Sequence, residues 1–376
     1  MRVLFHSAPA YGHVFPMIPL AWALRAAGHE VVFASYEGAE PIITPSGLPW
    51  RNIAPGVQMY HELFNVAAPS RPDLMRATAG SLGRDRVAFC RLFAHVNDVV
   101  ADGLVEFAQW WQPDLVVYEY ISPVGLIAAG KLGVPAVQHD LGLIRTAPLR
   151  AAMLEELAPT FERHGVEVPT DVRVLDIAPP SLIDGEPDGW SLRPVSYSAG
   201  GELPDWLARP AERPLIALTV GTVSPRMGGL DLVRRVIETA PDVDADFVLA
   251  LGQAKDNDWG ELPPNVRVAG WVPWNSLLRV SSAAIHHGGS GTSLAVLEAG
   301  LPQLITPDGS DRDINAEILA GHGAALTAGV GEVDADLLAR LVADETLAKA
   351  AREVRQEIAE MPSPASLVPE LAGLAG

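Results

Sequence analysis

The sequence predicts an α/β protein made of two parallel, doubly wound sheets, and three observations carry that prediction. Apolar strand-like runs alternate with stretches of helical spacing along most of the chain. The alternation breaks near the middle, in a Pro- and Gly-rich stretch, and then restarts. A chain of 376 residues exceeds what one ordinary core serves. It suits two domains of roughly 150 to 200 residues each.

In order, RVLFHS reads as a strand, APAYGHVFP as a loop, and MIPLAWALRAAG as a helix stopped by Gly28. HEVVFAS follows as a second strand, which completes a βαβ unit. Residues 51–112 are mixed and partly helical. A second unit is PDLVVYEY (113–120), a helix around VGLIAAGKLG, and VPAVQHD (134–140). The break, AGGELPDWLARPAERP (199–214), lacks either hydrophobic period and reads as a linker between a first domain, 1–198, and a second, 215–355. Beyond it LIALTVGT, DADFVLALG, NVRVAGWV, AAIHHGG and LPQLITP each read as a strand followed by a turn or helix. ETLAKAAREVRQEIAEM (345–361) is a late helix, and the segment 356–376 is expected to be helical and to pack back on the first domain.

Composition narrows the function. With 27 basic and 46 acidic residues the formal charge is −19, a field that repels nucleic acid and anionic membrane. A small nucleotide remains compatible, because backbone N–H groups at a helix start bind phosphate without net positive charge. The single cysteine, Cys90, forms neither an internal disulfide nor a cysteine metal site alone. That, and an opening without a signal-peptide pattern, points to the cytoplasm. A homodimer is the default assembly.

The motif richest in chemistry is HHGGSGT (286–292), placed where a strand hands over to the helix SLAVLEAG. Glycines there let the backbone approach a ligand, and the helix N–H groups favour an anion such as a diphosphate. The plainer alternative is a tight turn with surface histidines. The first βα loop lacks the G-x-G-x-x-G of dinucleotide folds and offers only Gly12, which weakens an NAD-dependent oxidoreductase reading. It instead presents His13 at the carboxyl edge of the first sheet, as either a proton acceptor or a solvated side chain. Glu119, at the end of PDLVVYEY, can orient and charge-stabilise His13, or pair with a surface arginine. In NVRVAGWVPW, Trp271 and Trp274 either stack on a base or anchor the strand. In DGSDRDIN, Asp311 and Arg312 either meet ligand hydroxyls or cap a helix. D-x-D patterns in DVDAD and DRD are short enough to arise by chance, so neither a metal nor a cofactor is predicted.

Taken together, GHVFP, PDLVVYE, GWVPW, HHGGSGT and DRDIN, in this order, resemble the GT-B glycosyltransferases of natural-product biosynthesis over nearly the whole chain. The resemblance is to bacterial enzymes that decorate antibiotic aglycones, such as calicheamicin-type enediynes, macrolides and aromatic polyketides, usually with deoxysugars carried on TDP. It implies two Rossmann-like domains facing across a cleft, with acceptor bound to the first and nucleotide sugar to the second. It makes His13 the base, with Glu119 where the family commonly has an aspartate. Thr222 of VGT lines the diphosphate, Trp271 stacks on the base, and Val272 reads the base edge through its backbone. His286 donates to a phosphate oxygen, and Gly288, Gly289, Ser290, Gly291 and Thr292 complete the cradle. Asp311 and Arg312 match a sugar-holding pair that is Asp-Gln in many relatives; arginine only donates, so the sugar is expected to differ from glucose. The acceptor is expected at His61, Phe64 and Phe89, within YHELFN and VAFCRLFAHV, unless those residues fill the core. The implied activity is inverting transfer without a metal; a catalytically silent relative that binds nucleotide for a partner enzyme is the alternative.

Overall fold

The computed structural model describes residues 1–80, 85–208, 212–222, 229–309 and 311–376. By internal contacts the chain forms two units. The first comprises Met1–Pro180, Gly185–Pro194 and Met361–Gly376, and the second comprises Ser181–Asp184 and Val195–Glu360.

The first unit holds a seven-stranded sheet. Its strands are β1 (Arg2–His6), β2 (Glu30–Ser35), β3 (Trp50–Asn52), β4 (Leu115–Glu119), β5 (Ala136–His139), β6 (Arg173–Asp176) and β7 (Trp190–Ser191). The order is β3-β2-β1-β4-β5-β6-β7 and the ladders are parallel. Near-continuous apolar runs such as Leu115–Val117 make this possible, because helices cover both faces of such a sheet. Phe5 and Phe33 are fully buried and stack with centroids 5.0 Å apart, tying β1 to β2.

Residues 51–112, mixed in sequence, resolve into a π-helical turn Glu62–Ala67 and a 26-residue helix, Arg86–Trp111. That helix is capped by Asp85, whose side chain accepts from the Ala88 N–H. Its Gly103 lets a loop press on the backbone: a Cβ there would stand 1.9 Å from the Ile53 carbonyl oxygen. The end of the chain, with the Val368–Leu374 helix, belongs to this unit, and the Arg193 N–H donates to the Pro362 oxygen at 2.8 Å.

The second unit holds a six-stranded parallel sheet. Its strands are β8 (Leu215–Thr219), β9 (Asp246–Ala250), β10 (Val266–Ala269), β11 (Ala283–His286), β12 (Gln303–Ile305) and β13 (Ala325–Thr327). The order is β10-β9-β8-β11-β12-β13. Apolar layers pack each face, one around Phe247, Leu249 and Ile285, the other around Val248, Ala284 and Val296. The chain changes unit between Pro194 and Val195, ahead of the stretch 199–214. Within that stretch Leu207 is buried in the second unit's core, because an apolar side chain there finds Leu215 and Leu277 to pack on. Residues 209–211 of the expected linker, and Ser310 of DGSDRDIN, lie outside the described residues.

Among the described residues no helix is long and apolar enough to cross a membrane, and no group of three His, Cys, Asp or Glu is placed to hold a metal.

Candidate functional site

In the first unit, β1 and β4 are neighbours in register, His6 against Tyr118, so both strands end at the same carboxyl edge. The loop after β1 enters a short helical turn, Tyr11–Val14, that carries His13. Glu119, the last residue of β4, is fully buried. Its Oε1 stands 3.2 Å from His13 Nδ1. Oε1 also accepts from the Ala8 N–H at 3.3 Å and the Ser122 hydroxyl at 2.9 Å, while Oε2 accepts from the Ile121 N–H at 2.8 Å. Burial pushes this carboxyl up, but the charge and hydrogen bond of His13, with the bonds from Ile121 and Ser122, outweigh it and hold it below its ordinary value.

An ionised Glu119 is therefore matched to a donating Nδ1–H. That tautomer leaves Nε2 with its lone pair, on a side chain that is 23% exposed. The arrangement accepts a proton at Nε2 and stabilises the resulting imidazolium. Glutamate, one methylene longer than aspartate, reaches the ring from the strand end.

Several contributors were not apparent in sequence. Ser122, three residues after Glu119, is the only one with a local signal, a hydroxyl in the turn that ends the strand. Asn97, buried on the Arg86–Trp111 helix, donates to the Ile121 oxygen at 2.8 Å and accepts from the Val124 N–H at 3.4 Å. It fixes the loop that carries Ser122. His6 and His139, at the ends of β1 and β5, are buried, and burial lowers each pKa to about 4. Both are neutral, with Nδ1–H donating to the carbonyl oxygens of Ala34 and Asp140. Beyond β5, Asp140 is buried against Gln138 Nε2 at 2.7 Å and the Thr146 hydroxyl at 3.0 Å. Burial raises its pKa to about 7, with the charges of Asp176 and Asp188 adding to the rise against hydrogen bonds that lower it.

The expected acceptor residues divide. Phe64 is 47% exposed and lies parallel to Tyr60, also exposed, with centroids 6.1 Å apart. His61 is exposed, with Nδ1 accepting from Asn65 Nδ2 at 3.1 Å. Phe89 is half-buried, edge-on to Phe93 and 5.2 Å under the Arg86 guanidinium. The surrounding Leu63, Cys90 and Phe93 do fill core.

In the second unit, HHGGSGT spans the end of β11 and the start of the Ser290–Ala299 helix. The expectation that His286 donates to phosphate needs correction. His286 is fully buried, its Nε2–H donates to Gln303 Oε1 at 2.7 Å, and its Nδ1 accepts from the Gly288 N–H at 3.0 Å. Burial lowers its pKa to about 4, and both nitrogens are spent on shaping the turn. The reason is strand alternation, which sends neighbouring side chains to opposite sides.

His287 has the available nitrogen: it is 9% exposed and its Nδ1 has no hydrogen-bond partner. Its ring lies against two glycines, so a Cβ on Gly221 or Gly289 would stand 2.5 or 2.6 Å from ring atoms. Gly288 adopts φ +89°, which glycine tolerates. The helix begins at Ser290 behind an N-cap, Gly289, that has no side chain to cap it, so its first N–H groups are left for an external acceptor. Asn315 donates to the Gly288 oxygen at 2.8 Å, and the Ser290 hydroxyl donates to Asp311 at 3.3 Å. Arg312 pairs with Asp308. Thr222 is half-buried beside Gly221, Trp271 is 46% exposed and lies along Gly252, and Val272 is buried. Gly291 and Thr292 sit in the first turn of the helix.

Comparisons with known proteins identify the family and the fold. The chain matches the erythromycin biosynthesis protein CIII-like N-terminal domain over residues 22–221 and its C-terminal domain over residues 234–374. It is 37% identical over 380 residues to the elloramycin glycosyltransferase ElmGT of Streptomyces olivaceus, covering 99% of this chain and 97% of that one. The crystal structure of the glycosyltransferase SnogD from Streptomyces nogalater superposes with a TM-score of 0.86 at 37% identity, over 100% of this chain and 99% of that one. The glycosyltransferase VinC in complex with dTDP gives a TM-score of 0.83 at 30% identity, over 100% and 99% of the two chains. The chain belongs to the erythromycin biosynthesis protein CIII-like family and is a glycosyltransferase of the GT-B fold.

Proposed function

We propose that this chain is an inverting, metal-independent transferase that moves a deoxysugar from a TDP-sugar to a hydroxyl of an apolar natural-product aglycone. The single observation that carries the reading is the His13–Glu119 contact at 3.2 Å, which engages Nδ1 of a partly exposed ring and leaves Nε2 for the acceptor. His13 removes the acceptor proton as that oxygen bonds to the anomeric carbon. The carbon–oxygen bond to the diphosphate breaks, and its electron pair leaves on the phosphate oxygen. Attack opposite the leaving group inverts the centre. The acceptor belongs to the first unit, with Tyr60 and Phe64 as its exposed aromatic wall. The nucleotide belongs to the second, with Trp271 under the base, Val272 at its edge, and Thr222, His287 and the 288–292 turn around the diphosphate. Asp311 faces the sugar. The dTDP bound to VinC supports the choice of nucleotide.

The test is calorimetric titration with TDP, UDP, GDP and NAD without added metal, followed by transfer assays on the winning donor. TDP is expected to bind most tightly. His13→Ala should lower turnover by about a hundredfold or more while TDP affinity stays within twofold. Unchanged turnover, or a product with retained anomeric configuration, refutes the mechanism.

A further inference from the structure

Arg312 sits at the position that the resemblance gives to the sugar, and its surroundings argue for a different partner. Its main chain abuts the glycine turn: a Cβ on Gly288 would meet the Arg312 carbonyl oxygen at 3.0 Å and its Cβ at 3.2 Å. Its side chain is only 16% exposed and is held by Asp308, four residues earlier. Its charge acts on His287, as do the carboxylates of Asp308 and Asp311 and the neighbouring His286. His287 itself is a nine-tenths buried ring with an unpartnered Nδ1. The Ser290–Ala299 helix presents uncapped N–H groups at the same turn, with no acidic residue in its first turn. The Arg312 main chain, one unpartnered ring nitrogen and a helix start therefore share one turn, with the guanidinium held on Asp308 alongside, in a chain of formal charge −19.

We propose that Arg312 binds the diphosphate of the donor rather than its sugar, and that Asp308 holds the guanidinium in place until the diphosphate displaces it. This rests on the TDP-sugar reading of the second unit. Chemistry favours the assignment: a planar guanidinium fork matches two phosphate oxygens, while it offers sugar hydroxyls no acceptor. When the bond to the anomeric carbon breaks, the added negative charge on the diphosphate strengthens its pairing with Arg312. The cation thereby acts more on the transition state than on the bound donor. Asp308 sets a threshold. A monoanionic or neutral ligand competes poorly for the arginine, whereas a diphosphate takes it over.

The experiment titrates wild type, Arg312→Gln and Asp308→Asn with TDP, TMP and thymidine by calorimetry. Arg312→Gln is expected to weaken TDP about ten- to a hundredfold and leave thymidine within twofold, since one charge-assisted contact to the diphosphate is lost. Asp308→Asn is expected to tighten TDP. Thymidine affinity in each variant reports that the unit is folded. If Arg312→Gln leaves TDP affinity within twofold, the proposal is overturned; if it also changes the preference among TDP-sugars, the residue reads sugar instead. If wild type binds no TDP, the donor reading itself falls, a result distinct from either.

Discussion

Replacing Asp140 with Asn should make the protein more stable, and by an amount that grows with pH. In the fold Asp140 is buried beside the carboxylates of Asp176 and Asp188, and its pKa stands at about 7. In the unfolded chain an aspartate titrates near 3.9, so about three pKa units separate the states, worth roughly 4 kcal/mol at about 1.4 kcal/mol per unit. The folded state binds the extra proton between these values, so stability falls as pH rises from about 4 to about 7 and then levels. Asparagine keeps an acceptor for Gln138 and Thr146 and cannot ionise. Denaturant unfolding of both proteins, compared at half-unit steps from pH 4 to 8, reads the difference. The buried histidines are common to both chains and cancel. The variant should match wild type near pH 4 and exceed it by several kcal/mol near pH 8, on the scale of the roughly 4 kcal/mol above. A difference that stays flat or shrinks with rising pH would mean Asp140 is ionised throughout, and the account of its burial would be wrong.

Three further outcomes follow from the packing. Glu119→Gln offers one acceptor oxygen and an NH2 that faces a donor, so a buried N–H goes unpaired. Stability should drop by about 1–3 kcal/mol and turnover by a hundredfold to ten-thousandfold, roughly; an active variant would show that the carboxylate charge is dispensable. Gly103→Ala replaces a helical glycine, a change that by propensity alone stabilises by about 1 kcal/mol, yet its Cβ would strike the Ile53 oxygen. Thermal melts should show a net loss, and a gain would mean that the turn after β3, at residues 53–57, yields easily. His6, His139 and His286 are neutral in the fold with pKa values of about 4, against an ordinary 6.5. The unfolded chain binds more protons in that window, so stability is lost as pH falls from about 6.5 to about 4. His139→Asn should shrink that loss, measured as unfolding midpoint against pH.

Strands with long apolar runs, such as LVVYE and LIALT, were legible because burial on both faces demands such runs. Arg173–Asp176, Trp190–Ser191 and Ala325–Thr327 were not, since two to four residues carry no period. The Arg86–Trp111 helix was blurred by the irregular chain before it, although Asp85 at its start is a capping residue. His13 and Glu119 were visible as residue types at strand ends. The hub around the carboxylate was not, because Ala8 meets it, and Asn97 fixes the loop beside it, only through the tertiary fold. The paired histidines show the limit most clearly. Composition marks the turn, but only the alternation of β11 decides that His286 turns inward to Gln303 and His287 keeps the unpartnered nitrogen.

The division of the chain has a consequence for its synthesis. The second unit is complete once Glu360 has been made, whereas the first waits for Met361, Leu367, Val368 and Leu371, which it buries. As the chain leaves the ribosome, the half that began first must finish last, with its sheet formed but a patch of its core uncovered while the later half folds. A stop codon placed at position 361 would therefore cripple the opposite end of the gene product, and nascent chains of that length should be more readily cut by protease in the first unit than in the second.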